Sequence, residues 1–188
     1  MKIEADLGYS QNVFLVGLMG AGKTTVGRIL ARALKKDFYD SDHVIEEKTG
    51  VRIADIFDIE GEKGFRKRER AVIKHLVPRH NIVVATGGGV VLDAENRENL
   101  KKNGTVIYLH AQVIELYKRT KNDIKRPLLR TNNVKDKLTQ LYEIRDPLYR
   151  SIADMVFETR RQGVGELVSD IVTTLQGGLV STATEEQK

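Results

Sequence analysis

The chain has 188 residues, 40% hydrophobic and 30% charged, with a formal net charge of +5. That length suits one domain with a core large enough to fold unaided, and the lack of cysteine excludes disulfides and thiolate metal centres. No apolar run reaches the roughly 18 residues of a membrane span, and the basic balance comes with only 6% aromatics and no Trp, a poor composition for a nucleic-acid reader.

Residues 1–10 lack the basic start and apolar stretch of a secretory signal, so a cytoplasmic protein is expected. Asn12 to Gly17 is a continuous apolar run, which predicts a strand buried on both faces. Lys23 to Leu34 carries helical spacing through Val26, Ile29, Leu30, Ala33 and Leu34. Phe38-Tyr39-Asp40 is too short to assign alone. Val44 to Thr49 predicts a short helix stopped by Gly50. A long helical pattern runs from Ile53 to Val77, interrupted near Gly61 and Gly64 and ended by Pro78.

Ile82 to Ala85 predicts a second buried strand, entering Thr86-Gly87-Gly88-Gly89. Asp93 to Lys102 reads as helix, Thr105 to Leu109 as strand and Val113 to Thr120 as helix. Lys121 to Val134 is polar, basic and broken by Pro127, and is predicted to be a mobile loop. Asp136 to Tyr149 is helical apart from Pro147; Ala153 to Phe157 is a last strand and Gly165 to Leu175 a last helix. Residues 177–188 are small and polar and are expected to fray. Strands alternate with helices throughout, which predicts an α/β fold whose parallel sheet carries helices on both faces. Ligands in such sheets lie at the carboxyl ends of the strands.

Gly17-Leu-Met-Gly-Ala-Gly-Lys23-Thr24 matches the phosphate-binding pattern G-x-x-x-x-G-K-[ST], between a predicted strand and a predicted helix. Glycines let backbone N–H groups curl around an anion, and the helix start adds partial positive charge. In such loops the lysine, here Lys23, reaches the β- and γ-phosphates, and the hydroxyl of Thr24 ligates Mg²⁺. Gly20, Ala21, Gly22, Lys23, Thr24 and Thr25 are therefore the expected nucleotide-binding residues. The loop does not say what accepts the phosphoryl group.

Further pieces narrow the acceptor: Phe38-Tyr-Asp-Ser-Asp42, Glu60-Gly-Glu-Lys-Gly-Phe-Arg-Lys-Arg-Glu69, Ala85-Thr-Gly-Gly-Gly89, Arg126-Pro-Leu-Leu129 and Arg145-Asp-Pro-Leu-Tyr149. Together with the phosphate loop, in this order and spacing, they make the chain resemble the bacterial shikimate kinases from about Asn12 to Leu175. The resemblance implies a three-layer αβα P-loop fold of the nucleoside monophosphate kinase type, with a central parallel five-stranded sheet. It implies a single kinase domain over residues 1–177, with substrate-binding helices at about 42–77, a mobile lid at about 121–135 and a disordered tail at 178–188. It also implies ATP-dependent phosphorylation of the shikimate 3-hydroxyl, on the route to chorismate and aromatic amino acids, by a monomer using one Mg²⁺ per subunit. Shikimate and ATP are the expected partners, with no nucleic acid and no membrane.

The same resemblance assigns residues. Asp42 faces the ring hydroxyls and Asp40 stands near Mg²⁺ with Thr24. A carboxylate beside the nucleophilic hydroxyl orients it or accepts its proton; the other reading of Asp40-Ser41-Asp42 is that Ser41 or Asp42 only caps the next helix. Arg66 and Arg145 clasp the shikimate carboxylate, a task suited to a planar guanidinium. Glu69, one helical turn beyond Arg66, is placed to hold a site arginine. The Gly88 backbone lies against a substrate hydroxyl. Arg126 is the lid arginine on the nucleotide phosphates, catalytic with Lys23 and Asp42, and Gln162 borders the adenine. Arg119, Lys125 and Arg130 read as solvated, and His43, His75, His80 and His110, lacking metal spacing, as structural or exposed. A gluconate-type kinase and a nucleotide-binding regulatory module are the alternatives; the two arginines and the glycine turn weigh against them.

Overall fold

The computed structural model describes residues 9–121, 127–129, 131, 133–159 and 163–183. Five strands form one parallel sheet: β1 (Asn12–Val16), β2 (Asp37–Asp40), β3 (Ile82–Ala85), β4 (Gly104–His110) and β5 (Met155–Glu158), in the order β2-β3-β1-β4-β5. Around it lie α1 (Lys23–Ala33), α2 (Ser41–Thr49), α3 (Ile53–Leu76), α4 (Ala94–Asn103), α5 (Val113–Thr120), α6 (Val134–Ile152) and α7 (Val164–Ala183). β1 and β3 are buried along their whole length, which is why they read as unbroken apolar runs rather than as alternation. Each fully buried Val or Leu contributes on the order of 1.5–3 kcal/mol by leaving water.

α1 packs on the β2–β3 side of the sheet and against α7, while α4 and α6 pack on β4. Gly27 lets α1 approach the sheet: a Cβ there would meet the Phe38 ring at 2.6 Å and Leu15 at 3.2 Å. β1 lies at the centre: the chain passes from it to β2 and β3 on one side and then crosses to β4 and β5 on the other, so its carboxyl end is a topological switch point.

Several boundaries differ from expectation. α2 begins at Ser41, because the Asp40 carboxylate accepts the Asp42 N–H and caps the helix; the cap is neither Ser41 nor Asp42. α3 is broken at Gly61, with φ 68° and ψ −175°, while Gly64 remains helical. α6 runs through Pro147 to Ile152, and Ala153 becomes its cap, so β5 starts two residues later than predicted. The proline forfeits one helical N–H bond, and the buried Leu138, Leu141, Tyr149 and Ile152 hold the helix to the core on both sides of it. α7 extends to Ala183, so residues 178–183 are helical where a tail was expected; no proline follows to stop it, and Leu179, Val180 and Ala183 are compatible with helix. The short 3-10 turn Val90–Leu92 carried no sequence signal that was read.

Candidate active site

The phosphate loop leaves β1 and curls back through Gly17, Gly20 and Gly22, at φ 142°, 82° and 94°. Non-glycine residues seldom take the last two conformations. Lys23, almost buried, donates from Nζ to the carbonyls of Gly17 (2.6 Å) and Leu18 (3.0 Å). Thr24 Oγ1 donates to Asp40 Oδ2 at 2.7 Å, which joins the first turn of α1 to the end of β2. A cavity of roughly 360 Å³ opens here, lined by Gly20, Gly22, Lys23, Thr24, Thr25, Asp40, Asp42 and Gly88. Ala21 is buried within the loop.

A second cavity of roughly 300 Å³ adjoins it and shares Met19, Asp40, Asp42 and Gly88. Its charged residues include Arg66, Glu69 and Arg145; Ile53, Phe57, Phe65 and Leu128 give it an apolar side. The Phe57 and Phe65 rings lie 4.8 Å apart between centroids, and the Arg66 guanidinium stands over Phe65. The sequence-predicted acceptor residues Asp42, Arg66, Gly88 and Arg145, distant in the chain, thus converge on one cavity beside the phosphate loop.

The two arginines are held differently. Arg66 NH1 donates to Glu69 Oε2 at 2.7 Å, while Nε and NH2 donate to Glu62 Oε1 at 3.2 and 2.8 Å. Burial disfavours its charge, but the two carboxylates outweigh that and raise its pKa. Arg145 is 2% exposed and gives NH1 to the Gly88 carbonyl at 3.1 Å. Burial, with the nearby Arg66 charge, lowers its pKa. Its Nε has no hydrogen-bond partner among the described residues. An arginine stays ionised even so, so this end of the cavity presents a desolvated positive charge, a setting that favours an anion. Tyr149, one turn beyond Arg145 and wholly buried, also donates to the Gly88 carbonyl. Burial keeps its hydroxyl protonated, well above the usual tyrosine value.

The glycine turn has a geometric reason of its own. A Cβ on Gly87 would stand 2.7 Å from both Asp42 Oδ1 and Glu69 Oε1, and one on Gly89 would overlap the Arg66 guanidinium. Side chains of the site therefore pack on the bare backbone of Gly87 and Gly89. Thr86 anchors the turn by donating N–H and Oγ1 to the Leu15 carbonyl, and the Gly87 N–H is donated to Ser41 Oγ.

Arg126 and Gln162 lie outside the described residues, as do residues 122–125, 130 and 132 of the lid segment. Arg119, read as solvated, is exposed yet held: it donates to the Gly20 carbonyl at 3.2 Å and to the Thr159 carbonyl at 2.9 Å. His110 is structural, with Nδ1 2.6 Å from Glu158 Oε1 and Nε2 2.8 Å from the Tyr142 hydroxyl. Glu62 and Tyr149 escaped the sequence reading, although each stands four residues from a site arginine, Arg66 and Arg145. Among the described residues, no group of three or more His, Asp or Glu converges on a metal position. Thr24 Oγ1 and Asp40 Oδ2 do offer paired oxygens at the phosphate cavity, the hard donors that Mg²⁺ takes alongside phosphate and water.

Comparison with known proteins points to one family. The family model described as shikimate kinase matches residues 19–176. A shikimate kinase of Burkholderia lata is 58% identical over 165 residues, covering 88% of this chain and 90% of its own. The structure of a shikimate kinase from Acinetobacter baumannii in complex with shikimate superposes with a TM-score of 0.88 at 48% identity, over 89% of this chain and 94% of that one. A gluconokinase from Sinorhizobium meliloti shares the fold alone, at 16% identity and a TM-score of 0.61 over 96% and 99% of the two chains.

Proposed function

The chain belongs to the shikimate kinase family, and from that premise we propose how its own residues carry the reaction. It transfers the γ-phosphoryl group of ATP to the 3-hydroxyl of shikimate, giving 3-phosphoshikimate and ADP on the way to chorismate. The observation that supports the residue roles below is the meeting of two unlike cavities at Asp42 and Gly88, one built around a phosphate loop and one around paired arginines.

Arg66 and Arg145 take the acceptor's carboxylate, and the apolar face of Ile53, Phe57 and Phe65 packs the ring. Asp42 and the Gly88 backbone orient the ring hydroxyls, which brings the 3-hydroxyl to the rim shared with the phosphate loop. Holding both reactants there turns a bimolecular encounter into an oriented one. The acceptor oxygen forms its bond to the γ-phosphorus as the bond to the β-bridging oxygen breaks. The hydroxyl proton passes to Asp42 late in the transfer, when the oxygen has become acidic. The backbone of Gly20, Ala21 and Gly22, with Thr25, holds the polyphosphate. The Lys23 ammonium exchanges its loop carbonyls for phosphate oxygens and offsets the charge that builds on the leaving group. Arg126 approaches the phosphates from the lid and Gln162 borders the base. Thr24 and Asp40 would hold a Mg²⁺ ion, which supplies charge neutralisation on the phosphate oxygens. We place the enzyme in the cytoplasm as a monomer; no helix among the described residues is long and apolar enough to cross a membrane.

A coupled ADP-release assay with MgATP and a panel of hydroxy acids tests the acceptor. Shikimate is expected to be turned over and gluconate ignored. Turnover of gluconate with no response to shikimate would reject the assignment.

A further inference from the structure

The charge of Arg66 is costly to bury, and its side chain is only 16% exposed. Two carboxylates offset that cost, and they are unequal. Glu69 is fully buried at 0% exposure and packed against the bare Gly87 backbone. Glu62 is 48% exposed and covers the Nε–NH2 edge of the guanidinium with a single oxygen. That edge is one of the two that receive a carboxylate in a forked pair. Glu62 also follows Gly61, the one non-helical residue inside α3, whose added Cβ would touch nothing.

Charge arithmetic points the same way. Both ion pairs at the clasp fall on Arg66, which Glu62 and Glu69 more than neutralise, while Arg145 beside it gives NH1 only to the Gly88 carbonyl. An incoming acid adds a negative charge, and the group able to yield is the exposed one. We propose that Glu62 is a displaceable stand-in for the acceptor's carboxylate: it neutralises Arg66 until the substrate arrives, and its displacement sets the affinity for acids. The inference rests on the acceptor assignment made above. The bond that changes partner is an ion pair, with no covalent step.

In this scheme Glu62 competes with substrate, so removing its charge tightens binding. A residue that merely props Arg66 in position would do the opposite. Isothermal titration of the full-length wild type and Glu62→Gln with shikimate, and separately with its methyl ester, distinguishes the two. Shikimate is expected to bind Glu62→Gln about five- to tenfold more tightly, the scale of releasing one competing charge at a half-buried pair. The neutral ester is expected to bind both proteins alike, and MgADP titration checks that the phosphate loop is intact. Unchanged or weaker shikimate binding in the variant overturns the proposal, as does an equal gain for acid and ester. No shikimate binding by the wild type would overturn the acceptor assignment, and this inference with it.

Discussion

Glu69 is the residue on which the acceptor cavity turns, since it touches Arg66 and stands beneath the glycine turn without reaching solvent. Burial raises its pKa, against the pull of Arg66 and Arg145. A carboxyl whose folded pKa exceeds its unfolded value favours the fold while protonated. That contribution is fully present below the unfolded value, about 4.3, and is lost as pH rises through the folded value. Glu69→Gln removes the dependence. In urea titrations from about pH 4 to 8, the stability of the variant relative to wild type is expected to rise with pH. A difference that stays flat or falls would show that Arg66 outweighs burial. The support from Glu69 to Arg66 was legible, because three residues is one helical turn. The role of Gly87 and Gly89 was only half legible: a glycine run announces a close approach, but not that side chains from α2 and α3 make it. Such contacts depend on elements remote in sequence.

At the scale of elements, α3 is a helix made of two parts. Its break at Gly61 was legible from composition, whereas Gly64 looked equally disruptive and is helical, with the Glu60 side chain lying against it. Sequence supplies two glycines, and only the backbone angles say which one bends. Gly61 adopts a conformation that residues with a Cβ populate at a cost of roughly 1–3 kcal/mol, and no neighbouring atom adds to that. Gly61→Ala is therefore expected to lose about that amount of stability in chemical denaturation. A loss under about 0.5 kcal/mol, the usual surface range, would mean that the break is not strained. α6 is the opposite case: the sequence pattern carried the helix past Pro147 to Tyr149, and packing takes it on to Ile152. Arg145 and Tyr149 sit on either side of that proline and share one carbonyl acceptor.

For the whole molecule, the alternation of strands and helices was enough to foresee a parallel sheet and a site at its carboxyl edge. The order β2-β3-β1-β4-β5 came only with the structure, because strand order is decided by long-range packing that local pattern does not encode. Since ligands bind the folded chain and not the unfolded one, occupancy raises its melting temperature. At about 100 times Kd a ligand adds roughly 2.7 kcal/mol, or about 5–10 °C for a chain of this size. Shikimate and MgADP are each expected to give such a shift. Arg66→Ala is expected to lose most of the shikimate shift while keeping that of MgADP; a matching loss of both would place Arg66 outside the acceptor cavity.

Gly88 belongs to both cavities, and its carbonyl is tied to the helix that carries Arg145. In the proposed reaction, the gap between the anion grip and the polyphosphate cradle is consequently set by a few hydrogen bonds within the protein, like the jaws of a caliper. An acid whose carboxylate-to-hydroxyl span is too short or too long would be seized firmly and still held out of line for transfer. The enzyme would select its substrate by length as much as by charge.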